Sequence, residues 1–159
     1  LEFRRVLFRS KKILRALGID ARLSVEKVSE IVNLSATPVR RRIRRLEREG
    51  VIKRYTIDVD LNKCGYSQKL FVFIKLQSRD QATIADFEGK VLDLPEVTSC
   101  SLVSGPHDYI LTLRHKDMDT YNKFLREVLS ELPGVFGIET SVVIGSIRDE
   151  LASPLPSRR

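Results

Sequence analysis

The chain holds 159 residues, 42% of them hydrophobic and 31% charged, a balance that excludes intrinsic disorder and suits one medium domain or two small ones. Twenty-eight Lys and Arg against twenty-one Asp and Glu leave a net charge of +7. That surplus is uneven: residues 1–60 hold sixteen basic and eight acidic residues, whereas residues 61–159 hold twelve and thirteen. A basic module joined to a near-neutral one implies an acidic partner for the first module only.

Cys64 and Cys100 lack the close spacing of a disulfide scaffold, and with His107 and His115 they make a poor zinc set. No metal or cofactor is implied. No stretch approaches the ~20 apolar residues that span a bilayer, so no membrane partner is expected. Residues 1–10 have neither a secretory apolar core nor a small-residue cleavage site. They also lack an initiator Met, and we read them as a non-native or disordered extension without functional weight.

Residues 11–60 read as a helix-turn-helix domain with a linking strand. A first helix, Lys11 to Leu17, presents Ile13, Leu14 and Leu17 on one face. Ser24 is an N-cap for a second helix through Val32, with Val25, Val28, Ile31 and Val32 inward. Asn33 stands where a tight turn needs positive φ, and Leu34 is expected to fill the core of that turn. Ser35 caps a third helix, although Thr37 followed by Pro38 is nearly as good a start. This helix runs to Glu49 and stops at Gly50. Short helix, tight turn and longer basic helix form the helix-turn-helix arrangement.

The third helix carries the informative pattern. Val39, Ile43 and Leu46 form one core-facing stripe, and Arg40, Arg41, Arg42, Arg44, Arg45 and Arg48 fill most of the rest. A merely solvated helix would mix its signs, whereas Glu47 and Glu49 come only at the end, unfavourably for the helix dipole. Arginine suits bidentate contact with phosphate and guanine. The first turns of a recognition helix reach base edges, which favours Thr37, Arg40, Arg41 and Arg44 there, with Ser35 as a further DNA contact at the helix start. Arg45 and Arg48, with the later Lys53 and Arg54, are expected on phosphates. Val51 to Val59 reads as a strand that pairs and links.

Residues 61–67, with Asn62 and Gly65, read as a linker. Residues 68–147 then alternate differently: a strand at 69–76, a helix at 80–93 with Ile84, Phe87, Val91 and Leu92 inward, and strands at 97–104 and 108–113. A helix at 117–132 and a last strand at 135–147, with a bulge or kink near Gly137, complete the order βαββαβ. That is a ferredoxin-like sandwich, with two helices on one face of a four-stranded antiparallel sheet. The uncovered face calls for a partner, most simply a second copy. Residues 148–159 read as a disordered tail.

Three segments together resemble the leucine-responsive regulatory protein and AsnC family, the feast/famine regulators of bacteria and archaea. The first runs from Leu34 through Ser-Ala-Thr-Pro-Val-Arg-Arg-Arg-Ile-Arg-Arg-Leu-Glu-Arg-Glu-Gly-Val to Ile52, followed by Tyr55. The second is Leu102-Val-Ser-Gly-Pro-His-Asp-Tyr-Ile-Leu111, and the third is Leu132-Pro-Gly-Val135 leading to Thr140. Departures from the family pattern include Arg9-Ser10-Lys11 at the first helix, Lys27, Ser29 and Asn33 around the turn, Ala36, and Ser104 before Gly105.

The resemblance implies an α+β protein with a winged-type helix-turn-helix domain ahead of a ferredoxin-like dimerisation domain. It implies a cytoplasmic, nucleoid-associated regulator of transcription that binds double-stranded DNA as a dimer, tetramer or octamer. It also implies a small effector, commonly an amino acid, with Gly105, Asp108, Tyr109 and Thr140 in or beside its pocket. The residues themselves leave an alternative open at each. Gly105 can simply make the turn, Asp108 can hold the loop through hydrogen bonds, and Tyr109 can sit at the dimer contact. Two functions compete: an effector-modulated, sequence-specific regulator, and an architectural DNA-binding protein that ignores amino acids. An enzyme is not expected, since His107 and His115 lack a catalytic constellation and no nucleotide-binding glycine motif occurs.

Overall fold

The computed structural model describes the backbone of residues 2–147 and the side chains of residues 10–147. The expected tail at 148–159 lies outside the described residues. The described chain divides between Asp58 and Val59 into two units, each considered by itself.

The first unit is three helices: α1 (Glu2–Ile19), α2 (Val25–Val32) and α3 (Ala36–Arg48). Ile13, Val28, Val32, Val39 and Leu46 form its buried core, flanked by Leu14, Leu17, Leu23, Val25 and Ile43. Ser24 caps α2, its side chain accepting from the Lys27 amide. Asn33 ends α2 at φ 58 and ψ 50, the left-handed geometry that asparagine tolerates, and opens the turn into α3.

Several expectations need correction. Helix α1 begins at Glu2, not Lys11, because residues 2–10 contain neither Gly nor Pro to stop a helix. Ile31 is 53% exposed and Leu34 38% exposed. Over only eight residues of α2, the Val28–Val32 pair supplies the buried face, and Ile31 lies beside it. Residues 53–60 form no strand. Tyr55, Ile57 and Val59 suit a ladder, yet they are exposed and no described strand pairs with them.

The second unit runs β1 (Gln68–Leu76), α4 (Gln81–Leu92), β2 (Val97–Leu102), β3 (Tyr109–His115), α5 (Met118–Glu127), a 3₁₀ turn at Leu129–Glu131 and β4 (Val135–Val142). The sheet order is β2-β3-β1-β4, with every neighbour antiparallel, which is the ferredoxin-like topology. Alternation along β1 buries Leu70, Val72, Ile74 and Leu76. These meet Phe87 and Val91 of α4 and Tyr121 and Phe124 of α5 in one core. Asp80 and Asp117 cap the two helices through the Thr83 and Thr120 amides.

The kink foreseen near Gly137 is a bulge: Lys75 pairs with Gly137 and Leu76 with Val135, leaving Phe136 as the extra residue. Leu92 is not inward but 83% exposed, being the last residue of α4 and one past buried Val91. The expected long helix at 117–132 instead breaks at Val128 into the 3₁₀ turn. No helix among the described residues is long and apolar enough to cross a membrane.

One turn depends on glycine for two reasons. Gly134 has φ 70, and a Cβ there would lie 2.3 Å from the Thr83 methyl on α4. Gly134→Ala therefore combines left-handed backbone strain, about 1 kcal/mol, with a clash against the α4 N-terminus. We expect a net loss of roughly 2 kcal/mol in the second unit, read from its denaturation midpoint. A midpoint equal to that of the parent protein would show that the turn relaxes freely.

Candidate nucleic-acid interface and effector loop

Helix α3 is held by its apolar stripe: Val39 and Leu46 are buried and Ile43 half-buried. Its other positions are consequently turned outward. Arg40, Arg41, Arg44 and Arg48 are exposed, while Arg42 and Arg45 are half-buried along the flanks. A surface concavity brings together Thr37, Arg40, Arg41, Arg44, Arg45 and Arg48, with Arg42 and Ser10 on its wall. Ser35, Lys53 and Arg54 are not among its lining residues. Arg42 was counted as charge in the sequence but not selected as a contact; its place on this wall is a feature of the folded surface.

Ion pairing divides these arginines. Arg40 reaches Glu26 of α2 at 3.5 Å, a long and exposed contact of little energy. Arg45 is engaged by Glu49 at 2.6 Å, one turn on. Arg41, Arg44 and Arg48 have no ion-pair partner among the described residues, so their guanidinium groups remain available to an external anion. Ser35 makes no side-chain capping bond, which leaves its hydroxyl free at the start of α3.

The two glutamates that oppose the helix dipole acquire a local reason. Glu49 pairs with Arg45, and Glu47 accepts a hydrogen bond from the Tyr55 hydroxyl at 2.7 Å. Burial and that carboxylate push the Tyr55 hydroxyl up to about 12. The bond ties the segment after Gly50 back to α3, so Lys53 and Arg54 sit on a tethered, exposed stretch.

In the second unit the four residues implied as effector contacts are not brought together. Gly105 lies in the β2–β3 loop at φ 146, with open space where a Cβ would stand. Asp108 closes that loop and is only 5% exposed. One carboxylate oxygen accepts from the Leu76 amide at 2.8 Å and the other from Arg79 Nε at 2.7 Å. Its amide donates to the Ile74 carbonyl, and its carbonyl accepts from Val103. The Leu76 hydrogen bond holds the Asp108 carboxyl below its ordinary value despite burial, with Arg79 and Lys75 acting in the same direction.

Tyr109 points under α4, its ring 4.7 Å from Phe87 and its hydroxyl donating to Glu88. It is fully buried in this unit. Burial, then the Glu88 contact, push its hydroxyl above the usual range. Thr140 faces α5 and shares a hydrogen bond with the Tyr121 hydroxyl. Its strand lies beyond β1 from β3, so the sheet separates it from the Asp108 loop. Arg79 and Glu88, the partners of Asp108 and Tyr109, carried no signal in the sequence.

The opposite sheet face is apolar at its centre, with Phe71, Phe73 and Ile110 half-buried. His107 stacks at 5.2 Å on Phe73 and contacts Glu139 at 3.1 Å. No helix of this unit covers it, since α4 and α5 both pack on the face that carries Leu70, Val72 and Ile74.

An arginine-studded third helix in one unit and a ferredoxin-like sheet with a buried-carboxylate loop in the other define a two-domain DNA-binding regulator. Residues 9–53 match the winged helix-turn-helix DNA-binding family, and residues 69–152 match the Lrp/AsnC ligand binding domain. The chain is 38% identical to the Bkd operon transcriptional regulator of Pseudomonas aeruginosa, across 91% of this chain and 94% of that protein. It is 39% identical to the leucine-responsive regulatory protein of Salmonella typhimurium, across 87% of this chain and 84% of that one. Among solved structures, a transcriptional regulator of Neisseria meningitidis in complex with L-Met superposes with a TM-score of 0.87 at 28% identity, covering 93% and 94%. The chain belongs to the Lrp/AsnC family of transcriptional regulators. The two matched families are thus a DNA-binding one and a ligand-binding one.

Proposed function

We propose that this regulator reads a specific operator through α3 and that a free amino acid modulates its DNA binding or its assembly. The observation that carries the first half is the run of exposed arginines on α3, of which Arg41, Arg44 and Arg48 have no ion-pair partner among the described residues. Thr37, Arg40, Arg41 and Arg44 take the base edges, with Ser35 at the helix start, while Arg45, Arg48, Lys53 and Arg54 hold phosphates. The ligand-binding family of the second unit supports the effector, and the L-Met complex of the Neisseria relative favours an amino acid.

Assembly follows from the uncovered sheet face. Phe71, Phe73 and Ile110 offer an apolar surface for a second copy, giving a homodimer and an operator with approximate dyad symmetry. Higher assemblies, tetramer or octamer, build on that dimer. The effector is received at the Gly105 loop, with Asp108 as its support, while Tyr109, buried under α4, and Thr140, across the sheet, stand outside the pocket. Such a protein acts in the cytoplasm on nucleoid DNA.

The test is DNA binding to genomic fragments across a panel of free amino acids, with assembly followed by sedimentation. A selective fragment whose affinity or stoichiometry shifts with one amino acid supports the reading. Selective binding that no amino acid alters would favour an architectural role instead.

A further inference from the structure

Asp108 has both carboxylate oxygens occupied from within the chain, by the Leu76 amide and by Arg79. A buried carboxylate so engaged is poorly placed to receive a ligand's ammonium. Arg79 is in the opposite situation. Its side chain is 69% exposed, and only Nε is engaged. The guanidinium is a rigid plane with five N–H donors, so anchoring Nε leaves the two terminal nitrogens as an outward-facing fork. That fork matches a carboxylate in a bidentate pair.

The neighbours favour this use. Asp80, the adjacent acid, has its oxygens taken by Ser78 and by the amide and hydroxyl of Thr83, where it caps α4. Lys75 contributes positive potential at Asp108. The amides of Ser104, Gly105 and His107 make no hydrogen bond among the described residues, so the loop leading into Asp108 offers further donors. Cationic fork and free amides both call for an anionic group.

We propose that Arg79, oriented by the buried carboxylate of Asp108, binds the carboxylate of the amino-acid effector, and that Asp108 is a positioning residue and not a ligand contact. The proposal rests on the effector reading above. It specifies the ligand class: a free α-carboxylate is required, and an amide of the same amino acid is discriminated against.

The full-length protein is titrated with the common L-amino acids and with the corresponding amino-acid amides, on the parent chain and on Arg79→Ala, Arg79→Gln and Arg79→Lys. The parent should bind its preferred amino acid about tenfold more tightly than the amide, the scale of one charge-assisted pair. Arg79→Ala and Arg79→Gln should lose that discrimination while their amide affinity stays unchanged, and Arg79→Lys should keep part of it. A merely structural role would weaken acid and amide alike. Full discrimination in Arg79→Ala overturns the proposal, as does tighter amino-acid binding, which would mean Arg79 occupies the ammonium's seat on Asp108. Sulfate competing as well as acetate at equal ionic strength would reduce the site to a general anion site and overturn it too. If the parent binds no amino acid, the effector reading itself falls, and this proposal with it.

Discussion

Replacing Arg40, Arg41 and Arg44 together with Ala is expected to abolish selective operator binding and leave folding and assembly intact. Each side chain is exposed on α3, away from the Val39–Ile43–Leu46 stripe that seats the helix. Among the described residues only Arg40 of the three has an ion pair to lose, the 3.5 Å contact with Glu26. Exposed at that length, it contributes little, and Ala is the stronger helix former, so thermal stability should hold or rise slightly. DNA affinity responds differently. Each bidentate base contact contributes about 1–3 kcal/mol of discrimination, so three such losses lower specific affinity by roughly a hundredfold or more. Any of the three that meets phosphate also flattens the salt dependence by about one unit of slope. Gel-shift or fluorescence titration at several salt concentrations reads both effects. Parent-like operator selectivity in the triple variant would show that α3 does not read the bases.

Asp108→Ala should destabilise the second unit by roughly 2 kcal/mol, because it strands the buried Leu76 amide. This outcome separates two roles that the sequence left open. A pocket contact would alter the effector response with little change in stability, whereas the observed bonds to Leu76 and Arg79 tie β1 to the start of β3 across thirty-two residues of chain. Asp108→Asn retains an oxygen for the Leu76 amide and should be markedly milder. Unchanged denaturation of Asp108→Ala would refute the structural role.

The pH dependence of the same unit follows with a definite sign. The Asp108 carboxyl is lowered in the folded state from an ordinary 3.8, so its contribution is present above that value and is lost as pH falls further. Asp80 is lowered by the Ser78 hydroxyl and then by its capping bonds to Thr83, Asp117 by its capping bonds to Thr120, and both act in the same direction. His115 is buried against Tyr121 and Phe124, with Nε2 lacking a hydrogen-bond partner. Burial lowers its value below the usual 6.5, although Glu96 and Asp117 pull it the other way. The unfolded chain therefore binds that proton first, and stability starts to fall as pH drops through 6.5. Two acid steps should appear in the denaturation midpoint, and Asp108→Ala should shrink only the lower one.

Particular residues show how far the sequence could be read. Ser24, Asn33 and Asp117 act within three residues of themselves, so their capping and turn roles are visible in local sequence. The α3 stripe and the β1 alternation are periodic and equally visible. Leu92 and Ile31 are apolar yet exposed, because hydrophobicity marks residues suited to burial while the neighbouring elements determine which ones are covered. The segment at 53–60 has strand composition without a strand, since a ladder is a property of two segments and composition describes one.

The division of charge, +8 in residues 1–60 and −1 in the remainder, is legible in the sequence by itself and marks the unit that matches a DNA-binding family. So are the order of elements and the stripe that turns the arginines outward, because helix and strand periods are short-range properties of the chain. What only the tertiary structure decided is which arginines of α3 lack an ion-pair partner among the described residues, where Phe136 bulges, and what holds Asp108. Arg79 precedes Asp108 by twenty-nine residues and belongs to no motif with it. Their contact exists because β1 and β3 pair antiparallel and bring the end of one strand beside the start of the other. Partnerships of that kind come from sheet register, which links positions distant in the chain and leaves no local trace in the sequence.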